Sequence, residues 1–275
     1  MGYRQVILFL DIDGTIRDFD GTVPESAVSA IRQARKNGHE VCLCSGRPLH
    51  QIEQGILDIG FDGIVATSGG YVSYHNRLLS HRTLPTSDLL DLTEYLMRRG
   101  CVFEIQTFHE SYVLRDEFNS YRFFGAYAQK KMNAKTDDEK HTPAIVETAQ
   151  DIPDAEKVNY FGDAVSPEDI TRAFAGTFRV VPLCIPAIEL YGGEISPAGV
   201  SKALGIQDIL NESGCRREDT AAVGDSENDL EMLDFAGTAI VMGNGNDAAK
   251  AHADYVTASL RDDGLAKAFR HYHLI

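Results

Sequence analysis

The sequence predicts an α/β fold: a doubly wound parallel-sheet core with an inserted α+β domain. Three observations predict it. Short, wholly apolar runs at 6–10 and 41–44 suit parallel strands covered on both faces. These runs alternate with helix-like segments in a β-α-β-α-β order. The texture then changes near Gly69 and returns after Gly199, which brackets a module of about a hundred residues within the first domain.

The elements follow in order. Residues 6–10 form the first strand. Pro24 opens a helical pattern reaching about Asn37, and Gly38 supplies its stop. Residues 41–44 are the second strand. Pro48 stands at a first helical turn, with a helix to about Leu57, and 64–66 form a third strand. Gly69-Gly70, 71–74, Asn76 and 78–79 read as a hairpin. The inserted stretch holds a helix at 86–99 and paired strands at 102–106 and 111–114. A charge-rich loop or helix end follows at 129–142. Further strands are expected at 157–161, 178–181 and 187–190, with a helix near 167–175. The last part carries a helix at 200–210, a strand at 221–223, a helix at 227–235, a strand at 239–242, and helices at 247–251 and 264–272. The core therefore spans 1–81 and 192–275, and the insertion spans 82–191.

The chain has 275 residues, enough for roughly two domains that each bury a core. Its 41 acidic and 26 basic side chains leave a net charge of −15, which argues against nucleic acid or an anionic membrane as a partner. No apolar run approaches the roughly 18 residues of a membrane span, and no signal peptide is visible. A cytoplasmic location is expected. Met1-Gly2 does not read as a myristoylation signal, because position six is Val6. Cys42, Cys44, Cys101, Cys184 and Cys215 are odd in number and fit no zinc spacing. They read as reduced, buried packing residues, with Cys42 and Cys44 on one strand face.

Chemistry concentrates at strand ends. Asp11-Ile12-Asp13-Gly14-Thr15 directly follows the first strand, at the carboxyl edge where doubly wound sheets bind ligands. Alternation puts Asp11 and Asp13 on one side, and Gly14 allows a sharp turn. Two carboxylates there suit a hard cation such as magnesium, a nucleophile that attacks phosphorus and a general acid/base. The same string alone also fits a solvated acidic turn. Ser45-Gly46-Arg47-Pro48 ends the second strand and opens a helix. Its hydroxyl and N–H groups suit phosphate, although Ser45 equally fits a helix N-cap. Lys202 sits where a helix dipole disfavours a cation. It reads either as a surface lysine or as a group that offsets the acidic cluster and holds a phosphoryl group. Gly224-Asp225-Ser226-Glu227-Asn228-Asp229 follows another strand. Asp225 would be a metal carboxylate, and Asn228 and Asp229 would bind the metal's waters or orient Lys202. A capping acidic turn is the plainer alternative. In so acidic a chain, a phosphate site needs local positive charge from a metal or a few placed cations.

Acid, hydroxyl, lysine and acid in this order resemble the haloacid dehalogenase superfamily, specifically the Cof-type phosphatases with a C2B cap. The matching stretches are Asp11–Thr15, Ser45–Arg47, Ile195-Ser196-Pro197 through Lys202, and Gly224–Asp229. The tail matches too, at Met242-Gly243-Asn244, Ala253–Thr257 and Asp263-Gly264. The resemblance implies a Rossmann-like core with an inserted cap. It implies that Asp11 is the nucleophile and a magnesium ligand. Asp13 would be the general acid/base and bind magnesium through its backbone carbonyl. Ser45 and Lys202 would hold the phosphoryl group, with Gly46, Arg47 and Asn228 binding substrate. Asp225 and Asp229 would complete the metal site. One departure stands out: the family's Asn-Gly-Ala after the third strand reads Ser68-Gly69-Gly70 here.

The implied function is magnesium-dependent hydrolysis of a small phosphorylated metabolite, possibly a sugar phosphate, through an aspartyl-phosphate on Asp11. The cap would close over the site, exclude water and choose the leaving group. Lysines at 130, 131, 135 and 140 read as a solvated face. A phosphohexomutase-type phosphotransferase is the alternative, since these motifs do not separate hydrolysis from transfer. A non-catalytic metabolite-binding protein would need a broken constellation, and a dehalogenase would not need Asp13. The expected oligomeric state is monomer or weak homodimer.

Overall fold

The computed structural model describes residues 5–122, 124–125, 142–185 and 190–275. The first stretch carries β1 Ile7–Leu10, α1 Glu25–Lys36, β2 Glu40–Cys44, α2 Gln54–Leu57, β3 Gly63–Ala66, β4 Tyr71–Tyr74 and β5 Arg77–His81. The middle carries α3 Thr86–Met97, β6 Val102–Gln106, β7 Ser111–Leu114, β8 Ala144–Val146, β9 Lys157–Phe161, α4 Pro167–Ala173, β10 Phe178–Ile185 and β11 Leu190–Pro197. The last stretch carries α5 Lys202–Ser213, β12 Thr220–Gly224, α6 Leu230–Phe235, β13 Ala239–Val241, α7 Asp247–Lys250, β14 Tyr255–Val256 and α8 Gly264–His271. The chain divides into two compact units. One is Met1–Arg47, Ile52–His81 and Ser201–Ile275; the other is Pro48–Gln51 and Arg82–Val200.

The first unit is built on an eight-stranded sheet of order β14-β13-β12-β1-β2-β3-β4-β5. β1 is parallel to both neighbours, with Ile7 opposite Thr220 and Glu40. Only the β3–β4–β5 hairpin edge runs antiparallel. β1 is buried at all four positions. Phe9, Cys42, Cys44 and Val65 pack with Ile206, Leu233 and Ala249 from α5, α6 and α7. Leu8, Leu10, Val41 and Leu43 alternate with them and are also buried, while α1 packs on β2 and α8. Burying each such side chain contributes about 1.5–3 kcal/mol. The parallel arrangement also brings the carboxyl ends of β1, β2, β3, β12 and β13 to one edge, which positions the candidate site.

The second unit has a six-stranded sheet of order β10-β11-β9-β6-β7-β8, antiparallel except between β7 and β8. One face is apolar. Phe103, Ile105, Tyr112, Val158, Tyr160 and Ile195 pack with Leu89, Leu92 and Leu96 of α3 and Ile170 of α4. Period-two alternation places Glu104, Gln106 and Asn159 on the other face, where Gln106 is buried.

Several elements differ from the sequence reading. Residues 192–200 belong to the second unit rather than the parallel-sheet unit, because β11 pairs along its whole length with β10 and also with β9. Residues 48–51 join it too, since the His50 backbone N–H donates to Phe108 O at 3.0 Å and its ring contacts Thr107 O and Ser111 Oγ, both at 3.1 Å. The expected helix from Pro48 is a single 3₁₀ turn, Leu49–Gln51, before α2. The strand expected at 181 continues to Ile185 as β10, and the one expected at 187–190 begins at Leu190 as β11; residues 186–189 lie outside the described residues. So do the lysines at 130, 131, 135 and 140 and nearly all of 129–142. β8 and β14 have no counterpart in the sequence reading. Cys42, Cys44 and Cys101 are buried free thiols, and Cys215 is only half-buried; the Cys184 side chain lies outside the described residues. Among the described residues, no helix is long and apolar enough to cross a membrane.

Candidate active site

β1 ends at Leu10 and β12 at Gly224, so Asp11 and Asp225 emerge side by side at the carboxyl edge. The Asp11 N–H donates to Val223 O at 3.0 Å, which ties the two strand ends together. Lys202 is the first residue of α5, behind the N-cap Ser201, whose hydroxyl accepts from the Leu204 N–H. Its Nζ donates to Asp11 Oδ1 and to Asp229 Oδ1, both at 2.6 Å. Lys202 is 1% exposed, Asp11 4% and Asp229 0%. A cation placed against the helix dipole is thus held by two buried carboxylates.

The second oxygen of Asp229 accepts from the backbone N–H groups of Asp225 at 2.9 Å and Ser226 at 3.2 Å. Asp229 therefore orients Lys202 and fixes the turn that carries Asp225. One carboxylate oxygen each from Asp11, Asp225 and Asp229 lies within 4.8 Å of the others. Two glycines make this crowding possible. A Cβ on Gly14, whose φ is +85°, would stand 2.1 Å from Asp225 Oδ2, and a Cβ on Gly224 would stand 2.5 Å from Asp229 Oδ2.

Asp13 sits differently. Its carboxylate accepts from Arg47 Nε and a terminal guanidinium nitrogen, both at 2.7 Å, and from Arg17 at 3.1 Å. Arg17 is itself paired with Glu53 at 3.2 Å. Asp13 is not part of the buried carboxylate group, and Arg47, expected to bind substrate, is here the partner of Asp13. Ser45 is 2% exposed, and its hydroxyl accepts from the Arg47 N–H at 3.2 Å, which leaves its own proton to donate. Asn228 is exposed; its Oδ1 accepts from Ser226 Oγ at 2.9 Å, and its Nδ2 lies 3.9 Å from where a Gly46 Cβ would be.

Two contributors were given no role from the sequence. Arg17, which grips Asp13, sits four residues beyond it, a spacing that signals contact only once the turn is known. Asn244 donates to Gly14 O at 2.8 Å and accepts from the Leu260 N–H at 2.8 Å, so it staples the turn after Asp13 to the last strand ends. Its signal was the Met242-Gly243-Asn244 stretch just beyond β13.

Residues 8–269 match the haloacid dehalogenase-like hydrolase family. The chain belongs to that family. It is 27% identical over 285 residues to the 5-amino-6-(5-phospho-D-ribitylamino)uracil phosphatase YitU of Bacillus subtilis, covering 99% of each chain. It is similar in structure to a hypothetical protein from Geobacillus kaustophilus (TM-score 0.82, 26% identity, 98% of this chain and 100% of that one). It is also similar in fold to the subclass IIB sugar phosphatase BT4131 (TM-score 0.79, 23% identity, 98% of this chain and 100% of that one).

In this haloacid dehalogenase-like hydrolase the donor set fits a hard divalent cation. Three carboxylates face one ammonium, an excess of two negative charges in a buried space. Asp225 Oδ1 is buried without a hydrogen-bond partner, and all the donors are oxygens, as magnesium requires. For the protein groups alone, burial, with Asp229 beside it, pushes the Asp11 carboxyl from 3.8 to about 8 despite Lys202. Burial and Asp229 push Asp225 from 3.8 to about 7. Burial opposes the charge on Lys202, but Asp11 and Asp229 outweigh it and hold the ammonium above its usual range.

Stability follows from these directions. Between about pH 4 and pH 8 the metal-free folded state binds more protons than the unfolded chain, so stability falls as pH rises through that window. A bound cation favours both carboxylates ionised and removes the cause. The Tm of chelator-treated protein is therefore expected to decline from about pH 5 to pH 8, and the gain in Tm on adding magnesium to grow over the same range. Thermal scans with and without magnesium check both slopes.

Proposed function

We propose that this protein is a magnesium-dependent phosphomonoesterase acting on a small phosphorylated metabolite through an aspartyl-phosphate on Asp11. The observation that carries the reading is the buried contact of Lys202 with Asp11 and Asp229 beside Asp225. It joins a nucleophile, a fixed cation and the donors for a metal at one sheet edge. Lys202 holds Asp11 Oδ1, which leaves Oδ2 to attack phosphorus. The P–O bond to the alcohol breaks, and the leaving oxygen takes the proton of Asp13. Asp13 then removes a proton from water, whose oxygen attacks the phosphorus of the aspartyl-phosphate. Orthophosphate departs and Asp11 is restored. Ser45 and Lys202 donate to phosphoryl oxygens, lowering the repulsion between the carboxylate and its anionic substrate. Magnesium, which Asp11, Asp225, Asp229 and the Asp13 backbone carbonyl would hold, would supply further charge neutralisation and positioning.

Before it acts as an acid, Asp13 must leave the grip of Arg47 and Arg17. A guanidinium pairs with a carboxylate or a phosphate in the same bidentate manner, so Arg47 would exchange the Asp13 carboxylate for the substrate phosphate. The names of relatives support a sugar or sugar-alcohol phosphate: a phosphoribityl compound for YitU and sugar phosphate for BT4131. The inserted α+β unit is the part assigned to select the leaving group. Buried, unbridged Cys42, Cys44 and Cys101 suit a reducing compartment such as the cytoplasm.

The test is a panel of phosphorylated metabolites, assayed for orthophosphate with magnesium and with a chelator. The expected result is metal-dependent phosphate release, highest for sugar or sugar-alcohol phosphates. Isomerised monophosphate without free phosphate would instead establish a phosphotransferase.

A further inference from the structure

We infer that Ser68 is a further substrate-contacting residue, donating its hydroxyl to the phosphoryl group beside Ser45. This rests on the phosphatase reading and adds a residue to it.

Thr67 and Ser68 follow β3 with φ of 49° and 52°. Two successive non-glycine residues in the left-handed region are unusual, and a β-branched one there is an outlier. Strain of this kind persists where the surroundings over-determine it, often at ligand sites. The surroundings here are the phosphate-binding turn itself. The Thr67 N–H donates to Arg47 O at 2.8 Å, and the Ser68 N–H donates to Ser45 O at 2.9 Å. The backbone of Ser68 is thereby locked to the Ser45-Gly46-Arg47 loop.

The side chain is placed with equal definition. Ser68 Oγ would be 3.4 Å from a Cβ on Gly46, and Asn228 Nδ2 would be 3.9 Å from it. Both polar groups therefore border the space that a side chain on Gly46 would fill. Ser68 is half-buried, and its hydroxyl has no hydrogen-bond partner among the described residues. Asn228 has its oxygen engaged by Ser226, which leaves its amide nitrogen, near the same space, as a donor. Hydroxyl and amide donors beside the open space at Gly46 suit the oxygens of a phosphate monoester.

The test uses p-nitrophenyl phosphate as substrate and orthophosphate as competing ligand, with magnesium. Ser68→Ala and Ser68→Gly are both expected to raise KM and the orthophosphate inhibition constant together by about tenfold, with kcat less affected. Ser68→Asn tolerates the same backbone and keeps a donor, so it is expected to stay within about threefold of wild type. The glycine variant separates contact from conformation, because it relieves the backbone strain while removing the hydroxyl. Inhibition constants within about twofold of wild type in both Ala and Gly variants, or recovery in the Gly variant alone, would overturn the inference. If wild type releases no phosphate, the phosphatase reading fails separately. Calorimetric binding of orthophosphate to wild type and to Ser68→Ala then still decides the contact.

Discussion

Asp11→Asn is expected to lower metal-dependent phosphate release by about 10⁴-fold or more while leaving the fold intact. The amide cannot form an acyl phosphate, and losing a nucleophile removes the whole covalent route rather than one stabilising contact. The amide oxygen still accepts from Lys202, and one of three crowded buried carboxylates is gone. Chelator-treated Asp11→Asn protein should therefore be at least as stable as wild type near pH 8, where burial and Asp229 make the Asp11 charge unfavourable. Steady-state assays and urea unfolding check the two halves. Retention of more than about a tenth of wild-type turnover would contradict the nucleophile assignment.

Lys202→Met carries the second large effect. Removing one partner of a buried ion pair leaves the other charge uncompensated and costs about 3–5 kcal/mol. Here one ammonium serves two carboxylates. The loss should depend on pH in a definite direction. With Lys202 in place Asp11 and Asp225 stand at about 8 and about 7, and Lys202 lowers both. Without it both carboxyls rise further, so near pH 8 the variant must hold protons that the wild type releases, and its loss of stability is larger there. Near pH 5 both are largely protonated and the variant is penalised less. Magnesium should restore part of the loss at the higher pH, because it replaces missing positive charge. Urea unfolding at the two pH values tests this, and an equal loss at both would show that the lysine acts through packing alone.

How much of this was legible before the fold was seen depends on locality. The wholly apolar run preceding Asp11 announced a buried parallel strand, and Gly224-Asp225 announced a second strand end. Lys202 stood out because it opposes the helix dipole. Each signal lies within a few residues of the group it concerns. The Asp13–Arg47 contact spans 34 residues and the Asn244–Gly14 contact 230, so neither has a local signature. β11 was misplaced because its sequence, with Gly192 and Gly193 in the middle, lacks the alternation that marks a half-buried strand. The helix expected at 227–235 starts instead as a 3₁₀ turn. Ser226 and Asp229 form a capping box there, and Asp229 at the same time serves Lys202 and the Asp225 N–H. The site's hydrogen bonding sets the local structure at that point, rather than helix propensity.

The most direct test of the central claim is to look for the covalent intermediate. Wild-type protein and magnesium are mixed with a ³²P-labelled substrate, quenched in acid within the first turnover, digested and mapped. Base-labile label on the peptide containing Asp11, absent from Asp11→Asn, is the predicted result. Turnover at full rate with no protein-bound label at any quench time, or label on another residue that persists in Asp11→Asn, would contradict it.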